Sequence, residues 1–357
     1  MSAAPITVAV ALRRLSAALA LALIATHAHA TATPVEPQAR YDPARAGSAL
    51  DRATEDRILA LDAANISAAD VRDVLAHAPA PRIINLQGSV ALITMQPFSE
   101  YLMAMGYPES RLKDPRDGSL SQSSFADSEQ LAGMLAWYYE IEGMMPMLIG
   151  HSQGGMLAIR VLYELAGSFH AAIPVWNPLT GQSEQRTTVI DPLTGLERPV
   201  IGLKLPYVAA LATGKLPRFL LGQWQMLGKL RTIPDTVEDF TGFSIEWDLI
   251  AGTLPGSETY HADGTAHVRN VELAAETSHI RMTRTRDLAR NPVTRAWIDG
   301  YDPASPPAAP PEGPGVDASN IVHAADIWHS VKKHWCLEAQ RLIGARRAAV
   351  TEKGGAG

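Results

Sequence analysis

Residues 144–162 read MMPMLIGHSQGGMLAIRVL, and their order decides the fold. Met144 to Ile149 is an apolar run of strand length. Met156, Leu157, Ile159, Val161, Leu162 and Leu165 then describe a helix that is mostly buried. Between the two stands Gly150-His151-Ser152-Gln153-Gly154-Gly155. A serine between a strand and a helix is forced onto a sharp turn with its Oγ exposed. Glycines two before and two after it remove Cβ atoms that would collide with the neighbouring strand and helix. The helix start beneath it favours negative charge developing nearby. A bare G-x-S-x-G match is weak, because small residues are common; the strand–turn–helix setting makes it strong. Ser152 is the candidate nucleophile.

Upstream, Ser67 is placed to cap a helix from Ala68 to His77, which Pro79 and Pro81 end. Arg82-Ile83-Ile84-Asn85-Leu86 reads as a short buried strand running into Gln87-Gly88-Ser89. Helices are expected from Phe98 to Met105, closed by Gly106, and after Ser124 as cap, closed by Gly143. Downstream, Ala171 to Trp176 reads as a third strand. Asn177-Pro-Leu-Thr-Gly181 and Asp191-Pro-Leu-Thr-Gly195 are Asx-Pro turns of a β-hairpin excursion. In the apolar stretch Pro206 to Leu230, the residues Leu220, Trp224, Leu227 and Leu230 share one helical face. Strands are expected again at Ser244 to Ala251 and Val268 to Ala274, then a helix through Trp297. Ile321, Ala325, Trp328, Val331, Trp335 and Leu342 predict a last helix docked on the body. Strands alternating with helices imply the α/β class, a mostly parallel sheet with helices on both faces.

The GHSQGG elbow within this alternation resembles the α/β-hydrolase superfamily, especially its secreted esterases and lipases, over roughly residues 80 to 300. The resemblance implies a Ser, Asp or Glu, His triad in that chain order, a backbone oxyanion hole and an inserted cap at about 178–240. Gln87-Gly88-Ser89 stands where the family usually carries His-Gly-x, so the N–H groups of Ser89 and Gln153 are the expected oxyanion donors. Gln87 in place of His is a departure that leaves backbone donors intact. His279 precedes IRMTRTRDLARNPVTRAWI in a strand, histidine-loop, helix order like the family's, and is the expected base. His329 is its rival, if Asn320 to Ala325 is a strand. His151 reads as pointing away from the serine's proton. For the acid, Asp263-Gly-Thr-Ala-His-Val268 resembles the Asp-Gly-x-Val turn of lipase-like families. The short spacing to His279 keeps Glu258 and Glu276 open, while Asp248 reads as lying inside a strand, less able to reach a loop histidine.

Composition narrows the function classes. Of 357 residues, 31 are Lys or Arg and 37 Asp or Glu, a formal charge of −6, which argues against a nucleic-acid surface. At 46% hydrophobic and 19% charged the chain is globular. Cys336 is the sole cysteine, so no intrachain disulfide or thiolate cluster can form. No HExxH or paired CxxC is present, no nucleotide-binding glycine motif follows a strand, and His323, His329 and His334 do not share a helical face. No metal or cofactor is expected. Arg13 and Arg14, the apolar run Leu15 to Ala25 and Ala28-His29-Ala30 read as a signal peptide cleaved after Ala30. The expected plan is signal peptide 1–30, linker and helix 31–80, core 81–302, Pro-rich connector 303–317, and C-terminal helix and tail 318–357. The expected protein is an exported serine hydrolase, periplasmic or extracellular, with no membrane span after cleavage. It would cleave small-molecule or lipid carboxylic esters through an acyl-enzyme. The alternatives are an acyltransferase or peptidase of the same fold, or a non-catalytic binding protein on it.

Overall fold

In a computed structural model, which describes residues 50–214, 224–253, 257–305 and 308–355, strands and helices form an α/β structure. The expected signal peptide lies outside the described residues, as does Leu220. The chain opens with α1 (Arg52–Leu59), α2 (Ala68–Asp73), β1 (Ile83–Leu86), α3 (Gln96–Met105), α4 (Ser128–Glu142), β2 (Met147–His151) and α5 (Gln153–Leu165). Two small antiparallel hairpins follow: β3 (Trp176–Asn177) with β4 (Gln182–Ser183), and β5 (Thr188–Ile190) with β6 (Glu197–Pro199). Next come β7 (Leu205–Leu211), β8 (Thr232–Pro234), β9 (Val237–Ile245), β10 (His261–Asp263), β11 (His267–Leu273), α6 (Pro292–Asp299) and α7 (Ile321–Gly355).

Five strands make one sheet in the order β1-β2-β7-β9-β11, and every pairing in it is parallel. Alternate side chains leave the central strands on opposite faces. Ile84, Leu148, Val208, Ala210 and Phe240 join the core beneath α4 and α5. Ile83, Met147, Ile149, Tyr207, Ala209 and Phe243 join the core shared with α3 and α7. Burial on both faces explains why these strands read as unbroken apolar runs without polar alternation.

Helix ends follow local chemistry. Ser67 and Asp70 form a capping box at α2, and Gly106 and Gly143 close α3 and α4 with φ of 111° and 78°. The cap of α4 is Asp127, whose carboxylate accepts from Gln130 N–H, and not Ser124, which is buried outside the helix. Residues 171–175 carry no strand; Pro174 lacks the N–H a ladder needs, and only Trp176–Asn177 pairs.

The expected insertion at 178–240 is overturned in its boundaries, since that span contains β7, which lies between β2 and β9 in the middle of the main sheet. A run buried on both faces has no two-residue alternation to separate it from a helix. The expected strand from Ser244 to Ala251 ends at Ile245, where the backbone turns and Trp247 takes a φ of 63°. Asn320 to Ala325 belongs to the approach and first turn of α7, not to a strand. That helix is deeply built in: Tyr101 donates to Ala324 O (3.0 Å), Lys332 to Ile66 O (2.6 Å) and Trp335 to Pro79 O (3.0 Å). Among the described residues no helix is long and apolar enough to cross a membrane.

Candidate active site

In a parallel sheet the loops after the strands' carboxyl ends gather along one edge, where ligands of α/β folds bind. Here that edge collects Gln87–Ser89 after β1, Ser152 after β2, Asp248 after β9 and His279 after β11.

Ser152 sits on the turn the sequence predicts, with φ 54° and ψ −116°, a backbone state costing on the order of 1–3 kcal/mol for a residue with a Cβ. The turn is held from β7: Ser152 N–H donates to Leu211 O (2.7 Å), and the Thr213 hydroxyl donates to Ser152 O (3.0 Å). The glycines around it have no room for side chains. A Cβ on Gly154 would strike the carbonyls of Leu86 and Gln87, and one on Gly150 would strike Gly154. These contacts are backbone on backbone and cannot yield.

Ser152 Oγ lies 3.0 Å from His279 Nε2, and His279 Nδ1 lies 2.6 Å from a carboxylate oxygen of Asp248. All three residues are buried, each less than a tenth exposed. The other Asp248 oxygen accepts from Ile250 N–H and Ala251 N–H, both at 3.0 Å. Burial works against the Asp248 charge, but the His279 contact and these N–H donors outweigh it and hold the carboxyl below its ordinary pKa. An ionised carboxylate on Nδ1 fixes the tautomer that leaves Nε2 free to accept the serine proton.

The structure therefore joins Ser152 and His279 as the sequence predicts, but puts Asp248, and not Asp263, on the imidazole. The reason is topological. Asp263 ends β10 and precedes β11, and the adjoining Thr265 bonds Asp235 at the amino ends of the strands. β11 spans seven residues, about 20 Å of extended chain, so Asp263 and His279 lie at opposite edges of the sheet. Asp263, Glu258 and Glu276 are all exposed. His329 lies on α7, away from Ser152; its first turn carries His323 and Asn320 against the loop after His279 instead. The signal that could have found Asp248 was the end of β9, since an acid three residues beyond a strand stands at the same edge as the serine.

Gly88 packs directly on the elbow: a Cβ there would lie 3.3 Å from both Ser152 Cβ and His151 Nδ1. Its loop is fixed from outside by Gln87 N–H to Gln122 O (2.9 Å) and by Ser121 Oγ to the Gln87 side chain (2.8 Å). Ser89 follows, half-buried, and Gln153 opens α5, where the first N–H groups lack intrahelical acceptors. Gln87 thus acts as a brace for the loop through its side chain, a role the sequence left blank.

Among the described residues, no group of His, Cys, Asp and Glu is arranged to hold a metal ion. A cleft of about 330 Å³ lies near Arg116, Gln130, Met134 and Trp176, and none of Ser152, Asp248 or His279 lines it. Compared with protein-family models and with curated proteins, the chain matches none.

Proposed function

We propose that the chain is an exported serine hydrolase of the α/β-hydrolase type that cleaves carboxylic esters through an acyl-enzyme. The observation that carries the reading is the continuous hydrogen-bonded line from Ser152 Oγ through His279 to Asp248 at the carboxyl edge of a parallel sheet. His279 Nε2 takes the hydroxyl proton as Ser152 Oγ bonds to the ester carbonyl carbon. The oxygen becomes negative and is received by the N–H groups of Ser89 and Gln153 beside the start of α5. His279 then returns the proton to the departing alcohol, and water repeats the sequence in reverse to release the acid. Asp248 stays ionised and stabilises the imidazolium.

Apolar groups around this line support an apolar ester. Val90 and Leu92 follow Ser89, Trp247, Leu249 and Ile250 flank Asp248, and Ile280 follows His279; all six are exposed. Exposed apolar side chains on the three loops that carry the site would suit an apolar acyl or alcohol group.

A fluorophosphonate probe tests the class of chemistry. The native protein should label covalently, and Ser152→Ala should not; labelling that survives Ser152→Ala would sink the reading. A nitrophenyl ester series should show kcat/KM rising with acyl length. Protein recovered from its native compartment should have an intact mass beginning at Thr31, and a mass beginning at Met1 would remove the export part.

A further inference from the structure

The base of the proposed triad stands on an irregular segment. Between the end of β11 at Leu273 and the start of α6 at Pro292 there are only two short 3₁₀ turns, His279–Arg281 and Arg286–Ala289. Its main-chain hydrogen bonds are local, each spanning two to four residues, such as Arg281 N–H to Ser278 O and Leu288 N–H to Thr285 O. Four carbonyls in its central part, between His279 and Arg284, are in addition held by buried side chains from elsewhere in the chain. His151 Nε2 lies 2.9 Å from His279 O. Asn320 Nδ2 reaches both Arg281 O (2.9 Å) and Arg284 O (3.0 Å), and His323 Nε2 reaches Met282 O (2.9 Å). His151, Asn320 and His323 are each at most 5% exposed.

We propose that His151, Asn320 and His323 are positioning residues for His279, clamping the histidine loop between the elbow and the first turn of α7. This inference rests on the serine-hydrolase reading above.

A carbonyl only accepts, so each imidazole must carry its proton on Nε2 and donate. His151 adjoins Ser152 in sequence and bonds the main chain of His279, so one rigid element sets both the nucleophile and the height of its base. The two rings lie 5.0 Å apart between centroids. A permanently charged donor there would oppose the imidazolium that forms when His279 accepts the serine proton. Burial, with His279 nearby, pushes His151 down to about 3, and burial pushes His323 down to about 4, so both donors are neutral at ordinary working pH. The clamp is therefore neutral as well as rigid. Misplacing a reacting group by about 1 Å can cost on the order of 10²-fold in rate, which is the scale of effect a loosened clamp should have.

The test separates positioning from simple stability by splitting kcat from KM on a nitrophenyl ester, in variants shown folded by near-ultraviolet circular dichroism. His151→Ala and Asn320→Ala should each lower kcat about 10- to 100-fold with KM within about twofold. His151→Gln, whose amide can donate to the same carbonyl, should recover most of kcat. If His151→Ala does not fold, His151→Gln against His151→Leu asks the same question at similar bulk. Equal kcat in the donating and non-donating forms would overturn the clamp. Ser152→Ala and His279→Ala run alongside: if they keep full turnover, the hydrolase reading fails instead. If they are dead while the clamp variants match the wild type, only this inference fails.

Discussion

At the scale of single residues, one carboxylate separates two accounts of the site. Asp248 is fixed by two N–H donors on one oxygen and offers the other to His279, whereas Asp263 faces solvent at the far edge of the sheet. Asp248→Asn should therefore lower kcat by about 10³- to 10⁴-fold with KM little changed, because the amide sets the wrong imidazole tautomer. Asp263→Asn should match the wild type in the same ester assay; a loss there, with Asp248→Asn active, would reverse the assignment. Ser152 and His279 were legible in the sequence because each sits in a local order of strand, turn and helix. The carboxylate that meets His279 was not, since an aspartate carries no local mark beyond its distance from a strand end. His151 reads from the sequence as pointing away from the Ser152 proton, and nothing local shows where it points instead; its partner, His279 O, lies 128 residues away.

At the scale of elements, α7 does more than close the chain. Its Trp328, Val331 and Trp335 are buried in the core of one sheet face, and its Asp326 meets Arg269 of β11. Asp326 is wholly buried, and Arg269 is about a quarter exposed in its side chain. Removing the acid alone leaves a largely buried cation without its counter-charge, at a cost of about 3 kcal/mol, the low end for buried pairs given that exposure. Asp326→Ala should accordingly lower the urea midpoint, and the double variant Arg269→Met with Asp326→Leu should regain most of the loss. An unchanged midpoint in Asp326→Ala would show that the pair does not hold α7 to the sheet. The helix itself was legible from its apolar spacing. That it anchors the histidine loop was not, because its partners are main-chain carbonyls, which leave no trace in side-chain patterns.

At the scale of the molecule, buried histidines set the response to acid. His151 and His323 have folded pKa values of about 3 and 4, and burial also lowers His329, against about 6.5 for an unfolded histidine. Below pH 6.5 the unfolded chain binds protons these groups refuse when folded, so stability falls as pH drops toward 4. One group opposes the trend in this range: burial raises Glu338, which favours folding at the lower pH, whereas His170, raised by the Glu164 contact, changes stability only above pH 6.5. The lowered histidines outnumber the one raised group that acts here, so stability rises with pH between pH 4.5 and 6.5. Below that window the depressed carboxylates Asp239 and Asp248 add their own loss as they protonate. Urea midpoints measured across the window should rise with pH, and His323→Gln should flatten the rise. A midpoint that falls with pH would refute this account.

The sequence by itself determined the α/β class and the elbow, and pointed to Ser152 and His279, because each follows from the local order of apolar runs, glycines and caps. Those are short-range constraints: a glycine between strand and helix is dictated by atoms within a few residues of it. Only the tertiary structure decided that β7 is a central strand, that Asp248 faces His279, and that α7 grips the histidine loop. In each case the deciding quantity is which edge of the sheet a residue reaches. That depends on where a strand stops and in which direction it is paired. Neighbouring strands and helices fix both of these, across more than a hundred residues of chain.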